Sequence, residues 1–277
     1  MSHRAVWLSD IHLNFVDSVA LTRFAETIDR ERADSVLISG DIAQATSLSE
    51  YLTFLDRNIS APIYFVLGNH DFYRGSVRGV RKAVSSITAN SSRLTYLSNA
   101  GLIRLTEKTA LIGHDGWADG CLGNFVGSEV ILNDYVLIED FASKTPQEGD
   151  LPLLPKADRL SIMQSLAAQA ADHFARYLPE ALELCEYVVV VTHVPPFREA
   201  CWYDGKVSNP DYLPHFSCKA VGDVLLEVMG KHPHKQMTVL CGHTHGEGEK
   251  LIRPNLRVLT AGALYTEPEI QRILDIE

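Results

Sequence analysis

The stretch Pro62-Ile63-Tyr64-Phe65-Val66-Leu67-Gly68-Asn69-His70-Asp71 sets an apolar run directly against a polar cluster. Residues 63–67 read as a buried strand. Gly68 lets the chain turn sharply at its end. The turn presents an amide, an imidazole and a carboxylate in succession. The pattern of an apolar strand followed by a polar cluster recurs four more times. Residues 5–8 run into Ser9-Asp10-Ile11-His12, and residues 35–39 into Gly40-Asp41. Residues 187–191 run into Thr192-His193, and residues 237–240 into Cys241-Gly242-His243-Thr244-His245. A pure packing element has no use for such clusters. Five of them read as the corners of a metal site.

Between the strands the apolar period is helical. Leu21, Phe24, Ala25 and Ile28 mark a helix within 17–32, and Leu48, Tyr51, Leu52 and Leu55 mark a second. The first seventy residues are therefore β-α-β-α-β, with polar residues at each strand's C-terminal end. In open α/β sheets that end is where ligands bind. Residues 76–89 read as a helix through Val77, Val80, Val84 and Ile87, followed by short strands at 94–97, 101–105 and 109–112. The last of these opens into Gly113-His114-Asp115-Gly116-Trp117, the start of a long excursion to residue 155 that includes Leu132-Asn133-Asp134-Tyr135. An alanine-rich helix is expected over 157–178, stopped by Pro179. Residues 197–216 lack any period and read as a second loop. A helix near 221–229 and strands near 249–252 and 256–260 follow. The tail at 270–276 fits strand or helix, with strand preferred. The expectation is one α/β domain over residues 1–277 with two loop excursions, near 113–155 and 197–216.

Bulk properties narrow the function classes. The chain has 277 residues, 46% hydrophobic and 22% charged, which is ample for a full core. No apolar run approaches the roughly 20 residues that span a membrane, so no membrane partner is expected. The N-terminus leads straight towards a strand without signal-peptide character, which points to the cytoplasm. The five cysteines form no CxxC pair and read as reduced thiols. A net charge of −10 without a basic run argues against an extended nucleic-acid surface. The oligomeric state is left open.

The strand-end residues Asp10, His12, Asp41, Asn69, His70, His193, His243 and His245 mix oxygen and imidazole donors. Manganese, iron and zinc all suit such a set. The donors are too many for one tetrahedral ion. Seven of them, with one carboxylate shared, fit two ions about 3.5–4 Å apart, which clamp an in-line displacement at phosphorus and lower the pKa of a bound water. Each residue also has a bland reading. Asp10 and Asp41 are good helix caps, Asn69 is a common turn residue, and Trp117 is a natural packing residue. His3, His173, His215, His232 and His234 read as surface, although His215 lies in a loop that could face the site.

Asp10-x-His12, Gly40-Asp41, Gly68-Asn69-His70-Asp71, His193 after a valine-rich strand, and Gly242-His243-x-His245 together resemble the five motif blocks of the calcineurin-like metallophosphoesterases, in order and in spacing. The resemblance implies a four-layer α/β/β/α sandwich with a dinuclear centre at the C-terminal ends of the strands. Asp10, His12 and His245 would bind one metal, Asn69, His193 and His243 the other, and Asp41 would bridge. His70 would face the phosphate and protonate or hydrogen-bond the leaving oxygen, a task suited to imidazole. The implied activity is phosphoester hydrolysis by a metal-bound hydroxide. A phosphodiesterase on small or nucleotide-like substrates is favoured over a phosphomonoesterase. A nuclease and a metal-free interaction scaffold are more distant alternatives. One departure bears on His70. Many members carry a second aspartate three residues after the first, where this chain has Gln44, so the usual partner of the catalytic imidazole is missing. His114 and Trp117 are further candidates for substrate binding, the first at a phosphate oxygen or leaving group, the second by stacking on a ring.

Overall fold

The structure is a computed structural model describing residues 3–144 and 151–277. Residues 1–2, and residues 145–150 of the expected excursion, lie outside the described residues. The strands β1 (His3–Leu8), β2 (Ser35–Ser39), β3 (Ile63–Val66) and β4 (Leu94–Tyr96) pair in parallel. Parallel neighbours need crossovers, supplied by α1 (Ser18–Arg30), α2 (Leu48–Asn58) and α3 (Val77–Thr88). Asp17 caps α1 by accepting from the backbone N–H groups of Val19 and Ala20. Each helix buries residues three and four apart, such as Leu48, Leu52 and Leu55 in α2.

After the single turn α4 (Leu97–Ala100) the chain builds a second sheet. Its elements run β5 (Ile103–Arg104), β6 (Thr109–His114), α5 (Asp134–Leu137), α6 (Lys156–Leu184) and β7 (Tyr187–Thr192). A hairpin of β8 (Trp202–Tyr203) and β9 (Lys206–Val207) comes next, then α7 (Leu213–Phe216) and α8 (Lys219–Lys231). The sheet is completed by β10 (Gln236–Cys241), β11 (Gly248–Arg253) and β12 (Leu256–Thr260), in the order β11-β12-β10-β7-β6-β5. The tail forms β13 (Arg272–Ile276), antiparallel to β1 at the edge of the first sheet.

Alternation along the strands sorts their side chains into two cores, because successive residues of a strand face opposite ways. Ala5 and Trp7 of β1, Val189 and Val191 of β7, Leu240 of β10 and Leu259 of β12 pack between the two sheets. Val6, Leu8, Val188, Val190, Val239 and Val258 face the helices. The four layers are therefore helix, sheet, sheet, helix. Strands buried on both faces read as unbroken apolar runs, which is what the sequence shows. No described helix is long and apolar enough to cross a membrane.

Two elements differ from expectation. The helix α6 continues through Pro179 to Leu184. Proline removes one backbone bond and costs about 3 kcal/mol in a helix interior, but Leu178, Ala181 and Leu182 around it are fully buried. Burial of those side chains outweighs the local penalty. In the 197–216 loop, Asp204 and Gly205 both have positive φ, 50° and 70°, closing the β8–β9 hairpin. Positive φ at both central residues is the turn that matches strand twist. The strands flanking this Asp-Gly are too short to show a period.

Candidate metal centre

The C-terminal ends of β1, β2 and β3 in one sheet, and of β7 and β10 in the other, bring all five clusters to one end of the sandwich. The backbone there is strained. Eight described non-glycine residues have positive φ, and Asp10, His12, Asp41, His243 and His245 are five of them. An L-residue in that region costs about 1–2 kcal/mol. Such strain persists only where the surroundings over-determine it, and here they do. Asp10 N donates to the Gly40 carbonyl at 3.0 Å and His12 N to the Asp41 carbonyl at 3.0 Å. Gly242 N donates to the His193 carbonyl at 2.9 Å. His243 N donates to Asp10 Oδ1 at 3.0 Å, and His70 N to Asp41 Oδ1 at 2.8 Å. A side chain on Gly242 would set its Cβ 1.9 Å from Asp10 Oδ2, so the last block needs glycine to let the two sheets' loops meet.

The donors fall into two sets. Asp10, His12, Asp41 and His245 each present a ligand atom within 4.8 Å of the others. His12 Nε2 is 3.2 Å from His245 Nε2 and 3.8 Å from Asp41 Oδ2. His245 Nε2 is 3.5 Å from Asp10 Oδ1. In the second set Asn69 Oδ1 lies 2.9 Å from both His193 Nε2 and His243 Nδ1. Asp41 Oδ1 is 3.5 Å from His193 Nε2. Asp41 thus turns one oxygen to each set.

The hydrogen bonds behind these donors decide their protonation. His193 Nδ1 donates to the Ser39 carbonyl at 2.9 Å, which leaves its Nε2 lone pair facing inward. His243 Nε2 donates to the His215 carbonyl at 3.1 Å, which leaves Nδ1 free. Asn69 Nδ2 donates to Asp134 Oδ1 at 2.8 Å, so Oδ1 points into the set. Three lone pairs then converge with no proton between them, an arrangement that repels unless a cation sits among them. Outer-shell acceptors of this kind are how ligating histidines are held in one tautomer. Burial also pushes His12 and His243 down to about 4 and lowers His193. The imidazoles are therefore neutral, the form that ligates a metal. Burial, with the Asp10 and Asp71 carboxylates, pushes Asp41 well above the usual carboxylate range. Burial acts the same way on Asp10, but the hydrogen bond to His245 and the imidazoles of His193 and His12 hold it below that range. Buried carboxylates that resist joint ionisation suit added positive charge. The residues present fit two divalent ions.

His70 lies beside this centre with its side chain 12% exposed and Nε2 4.0 Å from Asp41 Oδ2. Its Nδ1 is buried and has no partner among the described residues. Asp71 does not serve it. That carboxylate accepts from the backbone N–H groups of Ile42, Ala43 and Gly68 at 2.8–2.9 Å. Ring contacts hold His70 instead. Tyr73 stacks on it with centroids 4.3 Å apart, and His12 meets it edge-on at 4.6 Å.

Several expectations are corrected. His114 is 6% exposed; its Nδ1 accepts from Gly116 N at 3.1 Å, and its ring meets His173 at 5.3 Å. It lies beneath the surface rather than on the cleft that opens over the centre. Trp117 is 5% exposed and packs on Phe141 and Phe72, each with centroids 5.7 Å away. The indole is packed into the core rather than open to a substrate ring in the cleft. His215, read as surface, is buried, with Nδ1 2.5 Å from the Tyr135 hydroxyl. His173, also read as surface, is half-buried against His114.

The cleft over the centre has a volume of about 310 Å³ and is walled by Tyr203, Phe216, Tyr265, Leu132 and Asn133 above His70 and His245. Tyr265 stands 4.6 Å from His12 and 5.0 Å from His245 by ring centroid. Sequence reasoning missed Asp134 and Tyr265. Asp134 offered a faint signal as an acid in an excursion of otherwise unexplained polarity. Tyr265 offered none.

Comparison with known proteins agrees with this geometry. Residues 3–247 match the family model of the calcineurin-like phosphoesterases. The fold is similar to the phosphopantetheinyl hydrolase of Mycobacterium tuberculosis, at 14% identity and a TM-score of 0.58 over 94% of this chain and 90% of that one. It is similar to a dimetal phosphatase from Danio rerio, at 16% identity and a TM-score of 0.56 over 94% and 87%. It is also similar to the anchor of the inner membrane complex of Plasmodium, at 15% identity and a TM-score of 0.51 over 94% and 71%. No curated protein matches the chain in sequence. Five strand-end clusters that converge on one doubly lined centre, and a family match over nearly the whole chain, place this protein among the calcineurin-like phosphoesterases, hydrolases of phosphoester bonds that depend on a dinuclear metal centre.

Proposed function

We propose that the chain is a phosphodiesterase acting on small or nucleotide-like substrates. The observation that carries the reading is the meeting of two donor sets at one carboxylate, Asp41, whose two oxygens face different sets. Asp10, His12, Asp41 and His245 would hold one divalent ion, and Asn69, His193, His243 and Asp41 the other. Ions held there would supply Lewis-acid polarisation of a phosphoryl oxygen and a more acidic water for in-line displacement. His70 is placed to offer a hydrogen bond or a proton to the leaving ester oxygen, since its imidazole lines the cleft. Burial and the neighbouring imidazoles of His12, His193 and His245 lower its proton affinity.

The diester preference rests on the cleft. Its outer wall is aromatic and neutral, formed by Tyr203, Phe216 and Tyr265. With phosphorus at the centre, that wall meets an ester arm more readily than it meets the second charge of a monoester. The volume of about 310 Å³ suits one small ligand. The Plasmodium anchor shows that this fold also occurs in a protein described as an anchor, so the fold alone does not argue for chemistry. The complete donor set does.

The test is to strip the protein with chelator, restore Mn²⁺, and compare bis(p-nitrophenyl) phosphate with p-nitrophenyl phosphate. A His243→Ala variant controls for contaminating activity. Faster turnover of the diester is the expected result. Faster turnover of the monoester overturns the diester reading in favour of a phosphomonoesterase.

A further inference from the structure

The excursion between β6 and α6 reaches back to the metal centre through one carboxylate. Asp134 is 5% exposed and opens the short helix α5. Its Oδ1 accepts twice, from Asn69 Nδ2 at 2.8 Å and from the Tyr73 hydroxyl at 2.7 Å. The first bond decides which end of the Asn69 amide faces the His193–His243 set. Flipped, the amide would set its oxygen against the Asp134 carboxylate, oxygen on oxygen, and would turn N–H groups instead of a ligand oxygen towards a bound cation. The second bond anchors Tyr73, whose ring stacks on His70 at 4.3 Å and 29°. The segment is itself pinned. Tyr135 hydrogen-bonds His215 at 2.5 Å, the guanidinium of Arg159 lies over the Tyr135 ring at 4.5 Å, and the His215 carbonyl accepts from His243.

We infer that Asp134 is the positioning residue of the Asn69–His193–His243 half of the centre. It presents the Asn69 oxygen to the metal, and through Tyr73 it fixes the ring that carries His70. It takes on, from a different segment, part of the task left open by Gln44. The inference rests on the proposed dinuclear centre.

Titration of chelator-stripped protein with Mn²⁺ tests it without any turnover. Wild type takes up two ions per chain. Asp134→Ala keeps one ion at wild-type affinity and binds the other about 10–100-fold more weakly, the usual effect of losing an outer-shell partner. Asp134→Asn, which keeps an acceptor oxygen, restores the second ion. Tyr73→Phe retains both ions, because it removes only the long 3.4 Å contact from Asn69 Nδ2 to the Tyr73 hydroxyl and leaves the 2.8 Å bond to Asp134 intact. The ion retained by Asp134→Ala reports that the fold has survived. Were that variant unstable, Asp134→Ser in the same titration must show the same selective weakening. Two ions at unchanged affinity in Asp134→Ala overturn the inference alone. Equal weakening of both ions, the signature of a merely structural role, also overturns it, as does loss of the second ion in Tyr73→Phe. Fewer than two ions in wild type overturns the dinuclear reading and this inference with it.

Discussion

Replacing Gly68 by alanine would put a methyl group 2.2 Å from Asp41 Oδ1, 2.6 Å from Asp41 N and 2.6 Å from His193 Cε1. Gly68 does not have positive φ, so alanine is compatible with its backbone and the effect is steric. Ordinary contact begins near 3.4 Å, so the Asp41 oxygen must retreat by the difference between 3.4 and 2.2, about 1.2 Å. The Asp41 nitrogen is backbone, held beside a strand end, and cannot yield as a flexible side chain does. Metal ligands tolerate about ±0.2 Å, and a displacement of about 1 Å at a reacting centre costs about 100-fold in rate. Overpacking adds about 1–3 kcal/mol of destabilisation. Gly68→Ala should therefore lower kcat/KM on a diester by at least about 100-fold and weaken metal binding, with a melting temperature only a few degrees lower. The assay pairs elemental analysis of metal content with steady-state kinetics on protein shown to be folded by circular dichroism. A folded variant with two ions per chain and wild-type kcat/KM would refute the claim that Asp41 links the two halves of the centre.

Two further predictions concern residues placed away from the cleft. Trp117→Ala should cost about 3–5 kcal/mol of stability while the KM for a diester stays the same, since the indole packs on Phe141 and Phe72; a raised KM with unchanged stability would restore the substrate-stacking role. Burial pushes His114 down to about 4 from an ordinary value of 6.5. Between those values the unfolded chain binds a proton that the folded chain does not, so stability contributed by neutral His114 is lost as pH falls from about 6.5 towards about 4. In chelator-stripped protein, His114→Gln should flatten that acid limb by up to about 1.4 kcal/mol per pH unit; denaturant midpoints with the same pH slope as wild type would sink the assignment.

Much of the architecture was legible because its physics is local. Parallel strands buried on both faces appear as unbroken apolar runs such as Val188–Val191, and the amphipathic period of α1 to α3 is strong. The five clusters could be read as one centre because every strand delivers its polar residues at the same end. Where reading failed, distance in sequence or competition in space was responsible. Pro179 looked like a stop because a local penalty is visible in a string and the compensating burial of Leu178, Ala181 and Leu182 is not. Trp117 and His114 sit in a polar, glycine-rich segment that resembles a surface loop, yet the fold turns it inward.

The sequence by itself determined the donor types, their order and their attachment to strand ends, since each block is fixed by residues one to four apart. How the donors divide was implied in the sequence only by the family resemblance; the physical basis of that division is tertiary. Two sheets must stack before His193 and His243 can reach Asn69, and before the two oxygens of Asp41 can face opposite ways. The tertiary structure alone also brought Asp134 across 65 positions to the Asn69 amide and Tyr265 onto the rings of His12 and His245. No periodicity encodes such contacts, because they arise from loops whose course is set by the packing of the sheets beneath them.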